Sequence, residues 1–108
     1  MKIYIAGKIT GRHIDEWQEQ FYAAQHKLTR LGLKVKTPIE ISWYDDFVPY
    51  NDLIKMCKIL IDNADAVYML KGWRDSKGAS LECKYAIENG KQIFYEGESE
   101  PPDMRERI

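Results

Sequence analysis

Apolar positions in this chain keep two rhythms, and the change from one to the other marks out the elements. Short stretches with strand character occupy residues 2–6, 33–37, 66–70 and 92–95, each stopped by glycine, proline or a charged residue. Stretches of that length, rich in β-branched and aromatic residues, predict buried strands, and the unbroken run 66–70 reads as the middle of a parallel sheet. Between them apolar residues recur at steps of three and four. Trp17, Phe21, Ala24, Leu28 and Leu31 form one helical face that Gly32 stops. Leu53, Met56, Cys57, Leu60, Ile61 and Ala64 predict an inward face for a second helix over 51–63, and a third helix is expected from about Ser76 to Gly90.

Strand and helix alternate throughout. That order predicts an α/β chain with right-handed crossovers: a single-domain Rossmann-like or flavodoxin-like three-layer fold on a four- to five-stranded parallel sheet. Open sheets of this kind hold ligands beyond the carboxyl ends of their strands, so the loops after Ala6, Thr37 and Leu70 are expected to share one edge. Residues 39–50 break the pattern, with Trp43, Tyr44, Phe47 and Tyr50 set among Asp45, Asp46 and Pro49. They read either as a long connection pinned by its aromatics or as a lid that stacks on a base. The domain is expected to span 1–95. The polar, proline-broken tail 96–108 is read as disordered or as an arm that orders on a partner.

The chain has 108 residues, 44% of them hydrophobic and 31% charged, which suits one globular domain. A net charge of −1 leaves no electrostatic footprint for nucleic acid or an anionic membrane surface. Neither a membrane-spanning run nor a leader-like start is legible, so the expected location is the cytoplasm. Cys57 and Cys83 are far apart, and His13 and His26 are scattered; no metal and no cofactor is expected.

Two loops carry candidate chemistry. Gly7, Lys8, Thr10, Gly11 and Arg12 follow the first strand, offering close backbone approach and two cations for a phosphate, or simply a tight turn with solvated charges. The stretch from Gly72 to Ala79 follows the third strand. There Ser76 is a helix N-cap, and the N–H groups of Gly78 and Ala79 are candidates to meet an anion. Glu82 lies about a turn further on, as a nucleophile or as a surface carboxylate favoured by the helix dipole.

Gly7, Thr10 and Gly11 after IYIA, Thr37-Pro38, and ADAVYMLKGWRDSKGASLE together resemble the nucleoside 2-deoxyribosyltransferase-like superfamily. The likeness is greatest to a small phage and bacterial branch, and the 2′-deoxynucleoside 5′-phosphate N-hydrolases are related. It covers nearly everything up to about Tyr95. The resemblance implies that Glu82 attacks an anomeric carbon to form a glycosyl–enzyme ester, with Tyr4 orienting its carboxylate. It also implies that Ser76 meets a 5′-phosphate where the transferases carry an aspartate. With Lys8 and Arg12 nearby, this favours a nucleoside monophosphate. Trp73, Trp43 or Tyr44 would stack on the base, and at least a homodimer is expected.

The chain departs from its relatives at Cys57, where they carry an aspartate that handles the proton of the leaving base, and at Lys8, where many carry proline. Asp52, at the start of the same helix, is the candidate substitute; Asp45 and Asp46 are others. The expected function is an N-glycosidase or deoxyribosyltransferase acting on a small nucleotide or nucleoside. The alternatives are a nucleotide-binding module, used as a sensor or for sequestration, and a scaffold without a ligand.

Overall fold

A computed structural model describes residues 1–38 and 48–105. Four strands, β1 (Lys2–Ala6), β2 (Lys34–Lys36), β3 (Ala66–Met69) and β4 (Gln92–Tyr95), alternate with three helices, α1 (Ile14–Arg30), α2 (Tyr50–Asp62) and α3 (Lys77–Glu88). All strand pairs are parallel, in the order β2-β1-β3-β4. The architecture is the α/β fold expected from the alternation, with four strands among the described residues.

Side-chain alternation along the strands builds two cores. Ile3, Ile5, Ala66, Tyr68 and Leu70 face Trp17, Phe21, Ala24 and Leu28 of α1. Tyr4, Ala6, Val67 and Met69 face Cys57 and Ile61 of α2 and Ala79, Cys83 and Ala86 of α3. Each large side chain so buried contributes roughly 1.5–3 kcal/mol. The inward stripe of α2 is Leu53, Cys57 and Ile61, narrower than the pattern suggested: Met56 falls beside it and is 41% exposed.

Because β1 leads to α1 on one face and β3 leads to α3 on the other, the strand order reverses between β1 and β3. Their carboxyl ends approach closely there. A Cβ built on Gly7 would lie 2.9 Å from Leu70 Cδ1 and 3.2 Å from Phe21 Cζ. The absence of a side chain at Gly7 therefore lets the end of β1 pack against Leu70 and Phe21. Gly7→Ala should destabilise the fold by about 1–3 kcal/mol; an unchanged urea midpoint would contradict this account.

The segment after β4 is neither a disordered tail nor a detached arm over its described residues, 96–105. Packing of α1 over β1 and β2 leaves part of that face for another cover. Tyr95 and Ser99 form an antiparallel bridge that turns the chain. Glu100 then accepts from the Tyr68 hydroxyl at 2.6 and 2.9 Å, Pro101 is buried, and the Met104 N–H donates to the Leu31 carbonyl at 2.7 Å. The sequence suggested disorder because this strap is polar; it is held by hydrogen bonds more than by apolar burial.

Candidate active site

The site starts where β3 gives way to α3. Gly72, at φ 88°, adopts a left-handed conformation and turns the chain into a single 3₁₀ turn, Trp73–Asp75. Ser76 then caps α3: its Oγ accepts the Ala79 N–H at 3.1 Å, and its carbonyl accepts the Ser80 N–H at 2.9 Å. The Lys77 and Gly78 N–H groups have no acceptor among the described residues. Two donors at the positive end of a helix are thus available to an anion.

One turn below Gly78, on the inner face of α3, Glu82 is buried together with Ala79, Cys83 and Ala86. The alanines let the helix approach the sheet, and the Glu82 carboxyl, in a residue 9% exposed, reaches the middle of β1. The Tyr4 hydroxyl donates to Glu82 Oε2 at 2.5 Å. From α2, the fully buried Cys57 packs into the same core cluster as Tyr4. Burial pushes the Glu82 carboxyl up to about 7, while hydrogen bonds from Tyr4 and Cys57 pull the other way. Burial, and then the charge of Glu82, push the Cys57 thiol up to about 12 and Tyr4 well above its ordinary value, so both stay protonated donors. A buried carboxyl pushed towards neutrality, one turn below helix N–H groups without acceptors, has the chemistry of a nucleophile or a general acid–base.

On the α1 side of the switch point between β1 and β3, and sharing no lining residue with this group, lies a cleft of about 560 Å³ lined by Lys8, Arg12, Gln20, Lys71, Gly72 and Asp75 among others.

Comparison with known proteins places these features. The profile of a family described as a domain of unknown function (DUF4406) matches residues 1–95. The chain belongs to the DUF4406 family. No curated protein matches it. A solved structure, the 2-deoxyribosyltransferase of the psychrotolerant bacterium Bacillus psychrosaccharolyticus, is similar, with a TM-score of 0.71 and 22% identity over 88% of this chain and 71% of that one. This DUF4406 chain therefore has the fold of the superfamily that its motifs resemble.

The DUF4406 site gathers some of the expected residues and separates others. Tyr4, Ser76, Gly78, Ala79 and Glu82 fall together at the start of α3, but the Ala79 N–H expected to meet an anion is taken by the Ser76 cap, leaving those of Lys77 and Gly78. Lys8 and Arg12 line the neighbouring cleft, where α1 leaves on the opposite face of the sheet. The Arg12 guanidinium is tied there to the Lys8 carbonyl at 3.0 Å and to Gln20 Oε1 at 2.5 Å. Thr10 and Gly11 are exposed at the tip of that loop. Trp73 is half-buried; its ring meets Tyr95 at 5.9 Å between centroids and carries the Arg74 guanidinium 4.6 Å above it. A base stacked on that face of Trp73 would have to displace Arg74.

Asp52 is not brought to Glu82 by any contact among the described residues. It is exposed on the first turn of α2, 3.9 Å from Lys55 Nζ, and about 140° around the helix from Cys57. Trp43, Tyr44, Asp45 and Asp46 lie outside the described residues. Two further residues flagged in the sequence without a specific role stand near the site. Tyr50, at the start of α2, holds its hydroxyl 3.7 Å from where a Gly78 Cβ would be. Thr37, 1% exposed, has no hydrogen-bond partner for its hydroxyl among the described residues, at the carboxyl end of β2. Among the described residues no group of three or more His, Cys, Asp or Glu could hold a metal ion, and no helix is long and apolar enough to cross a membrane.

Proposed function

We propose that this protein cleaves the N-glycosidic bond of a (deoxy)nucleoside 5′-monophosphate through Glu82. The observation that carries the reading is a buried carboxylate, held by the Tyr4 hydroxyl, one turn below two helix N–H groups without acceptors. Likeness in fold to a 2-deoxyribosyltransferase supports it. A 5′-phosphate at the Lys77 and Gly78 N–H groups would bring the sugar towards Glu82.

Glu82 attacks C1′ of the sugar, forming an ester as the C–N bond breaks. The base leaves with that electron pair and takes a proton from solvent. Water then attacks C1′ and gives up a proton to solvent as the ester C–O bond breaks, and sugar phosphate departs with Glu82 restored as carboxylate. A second base in place of water makes the same sequence a transfer. Attack needs the ionised carboxylate, so base release should rise with pH through the neutral range, with its midpoint near the Glu82 value of about 7.

The test is chromatographic detection of free base from a panel of nucleoside monophosphates and nucleosides, with Glu82→Gln alongside. Base released by the wild type alone supports the reading and names the substrate. Release that survives the substitution, or no release from any member, overturns it. A nucleotide that raises the melting temperature without product formation would make the protein a binding module.

A further inference from the structure

Gln20 stands on the second turn of α1, and its amide reaches the ends of three strands. Its Oε1 accepts from the Arg12 guanidinium at 2.5 Å. The same guanidinium donates to the Lys8 carbonyl at 3.0 Å, which ties the loop after β1 to α1. Its Nε2 donates to the Lys71 carbonyl at 3.2 Å and to Glu96 Oε1 at 3.4 Å, reaching the loop after β3 and the end of β4. Glu96 Oε1 in turn accepts the Lys71 N–H at 2.9 Å. Side chains from α1 and from the end of β4 thus hold both backbone polar groups of Lys71. The left-handed Gly72, where the chain turns towards α3, follows at once.

An amide set between a guanidinium and a carboxylate has one favoured orientation, its oxygen towards the cation and its nitrogen towards the anion. Arg12, Gln20 and Glu96 therefore form a directed relay. None of its bonds is deeply buried, so the relay adds little to global stability. Its effect is local: it opposes the opening of exposed loops, which costs far less than unfolding. The geometry points to Gln20 as a positioning residue, a clamp that fixes the loop after β1 against the loop that delivers the first turn of α3. Gln20 touches no reacting group and acts through Arg12, Lys71 and Glu96. Substrate lying between the two loops binds best when their separation is set beforehand, since binding must otherwise offset the cost of ordering them. The inference rests on the start of α3 being the substrate site, but the clamp is tested without turnover.

The experiment is amide hydrogen exchange, read residue by residue by NMR in the full-length protein. The reporters after β3 are the Lys71, Trp73 and Asp75 amides, bonded to Glu96, Leu70 and Gly72; after β1 it is the Arg12 amide, bonded to Ile9. Gln20→Ala should speed exchange at all four by about 5- to 10-fold. The Ile5 and Val67 amides inside the sheet should keep the wild-type rate. Gln20→Glu keeps the Arg12 contact but sets two carboxylates together and removes the donor to Lys71. It should quicken the reporters after β3 and spare Arg12. Adding Glu96→Gln puts one carboxylate and one amide back in exchanged places and should return those reporters towards the wild-type rate. On the nucleoside monophosphate that loses its base fastest, Gln20→Ala should raise KM by about 5- to 10-fold with kcat little changed. Unmoved loop exchange, an unmoved KM, a double variant no closer to wild type than Gln20→Glu, or faster exchange across the whole sheet overturns the proposal. Loop exchange that quickens and is rescued in a protein releasing no base supports the clamp while the glycosidase reading falls.

Discussion

Glutamine in place of Glu82 is expected to raise the melting temperature above pH 7 while base release falls by about 10³-fold or more. Both effects come from the burial of one carboxyl. In the folded chain it holds its proton up to about 7; in the unfolded chain it ionises near the ordinary glutamate value, about 4.3. Between those values the folded state keeps a proton that the unfolded state has lost. Wild-type stability should therefore fall as pH rises through this window and level off above it. The loss is on the order of 3 kcal/mol, which for a domain of this size corresponds to roughly 10 °C or more in melting temperature. The amide does not titrate, and its oxygen still accepts from Tyr4. Thermal melts from pH 4 to pH 8 should show the two proteins converging at the acid end, separating progressively between about pH 4.5 and pH 7, and keeping a constant gap above it. Parallel curves would mean that burial of Glu82 carries no such cost. A residue that destabilises its own fold in the ionised state is what a site built for reactivity predicts.

The legible part of the fold was what short-range pattern encodes. β1 and β3 are apolar on both faces, and the 3.6-residue spacing of Trp17, Phe21, Ala24 and Leu28 marks α1. Ser76 was legible as a cap because a serine oxygen placed just before a helix can accept one of the first turn's N–H groups. Tyr4 and Glu82 were paired through the family resemblance, since 78 positions separate them and neither spacing nor propensity joins them. The rest depends on which face a helix takes. Lys8 and Arg12 follow β1 as expected, but α1 leaves on the face opposite α3, and Arg12 is drawn back to Gln20. Cys57 was read as a departure in leaving-group chemistry, and the structure buries it on the inward stripe of α2 in one cluster with Tyr4. That placement requires knowing that the stripe of α2 meets β1.

Removing the strap after Tyr95 should cost about 4 kcal/mol or more, much of the stability of a domain this small. Its anchor is Glu100, which receives the Tyr68 hydroxyl, the Lys27 ammonium and the Gly97 N–H. Hydrogen bonds to a charged group contribute about 1.5–3 kcal/mol. Glu100→Ala alone should therefore cost about 2 kcal/mol, and Tyr68→Phe should add little once Glu100 is gone. Urea denaturation of the two single variants, the double variant and a chain ending at Tyr95 measures this. A shortened chain as stable as the full one would reduce the strap to an ornament. The pH dependence separates the strap from the site. Partial burial pushes the Glu100 carboxyl up, but Lys27, Tyr68 and Gly97 outweigh it, and the net shift is downward. Its contribution is present above the ordinary carboxylate range and disappears as pH falls through the depressed value. Glu82 has the opposite sign, its cost appearing as pH rises towards 7. Wild-type stability should thus be greatest in mildly acidic solution. Glu100→Gln should flatten the acid side of that curve and Glu82→Gln the neutral side, each leaving the other limb intact, because one carboxylate fastens the α1 face and the other is buried against α2 and α3.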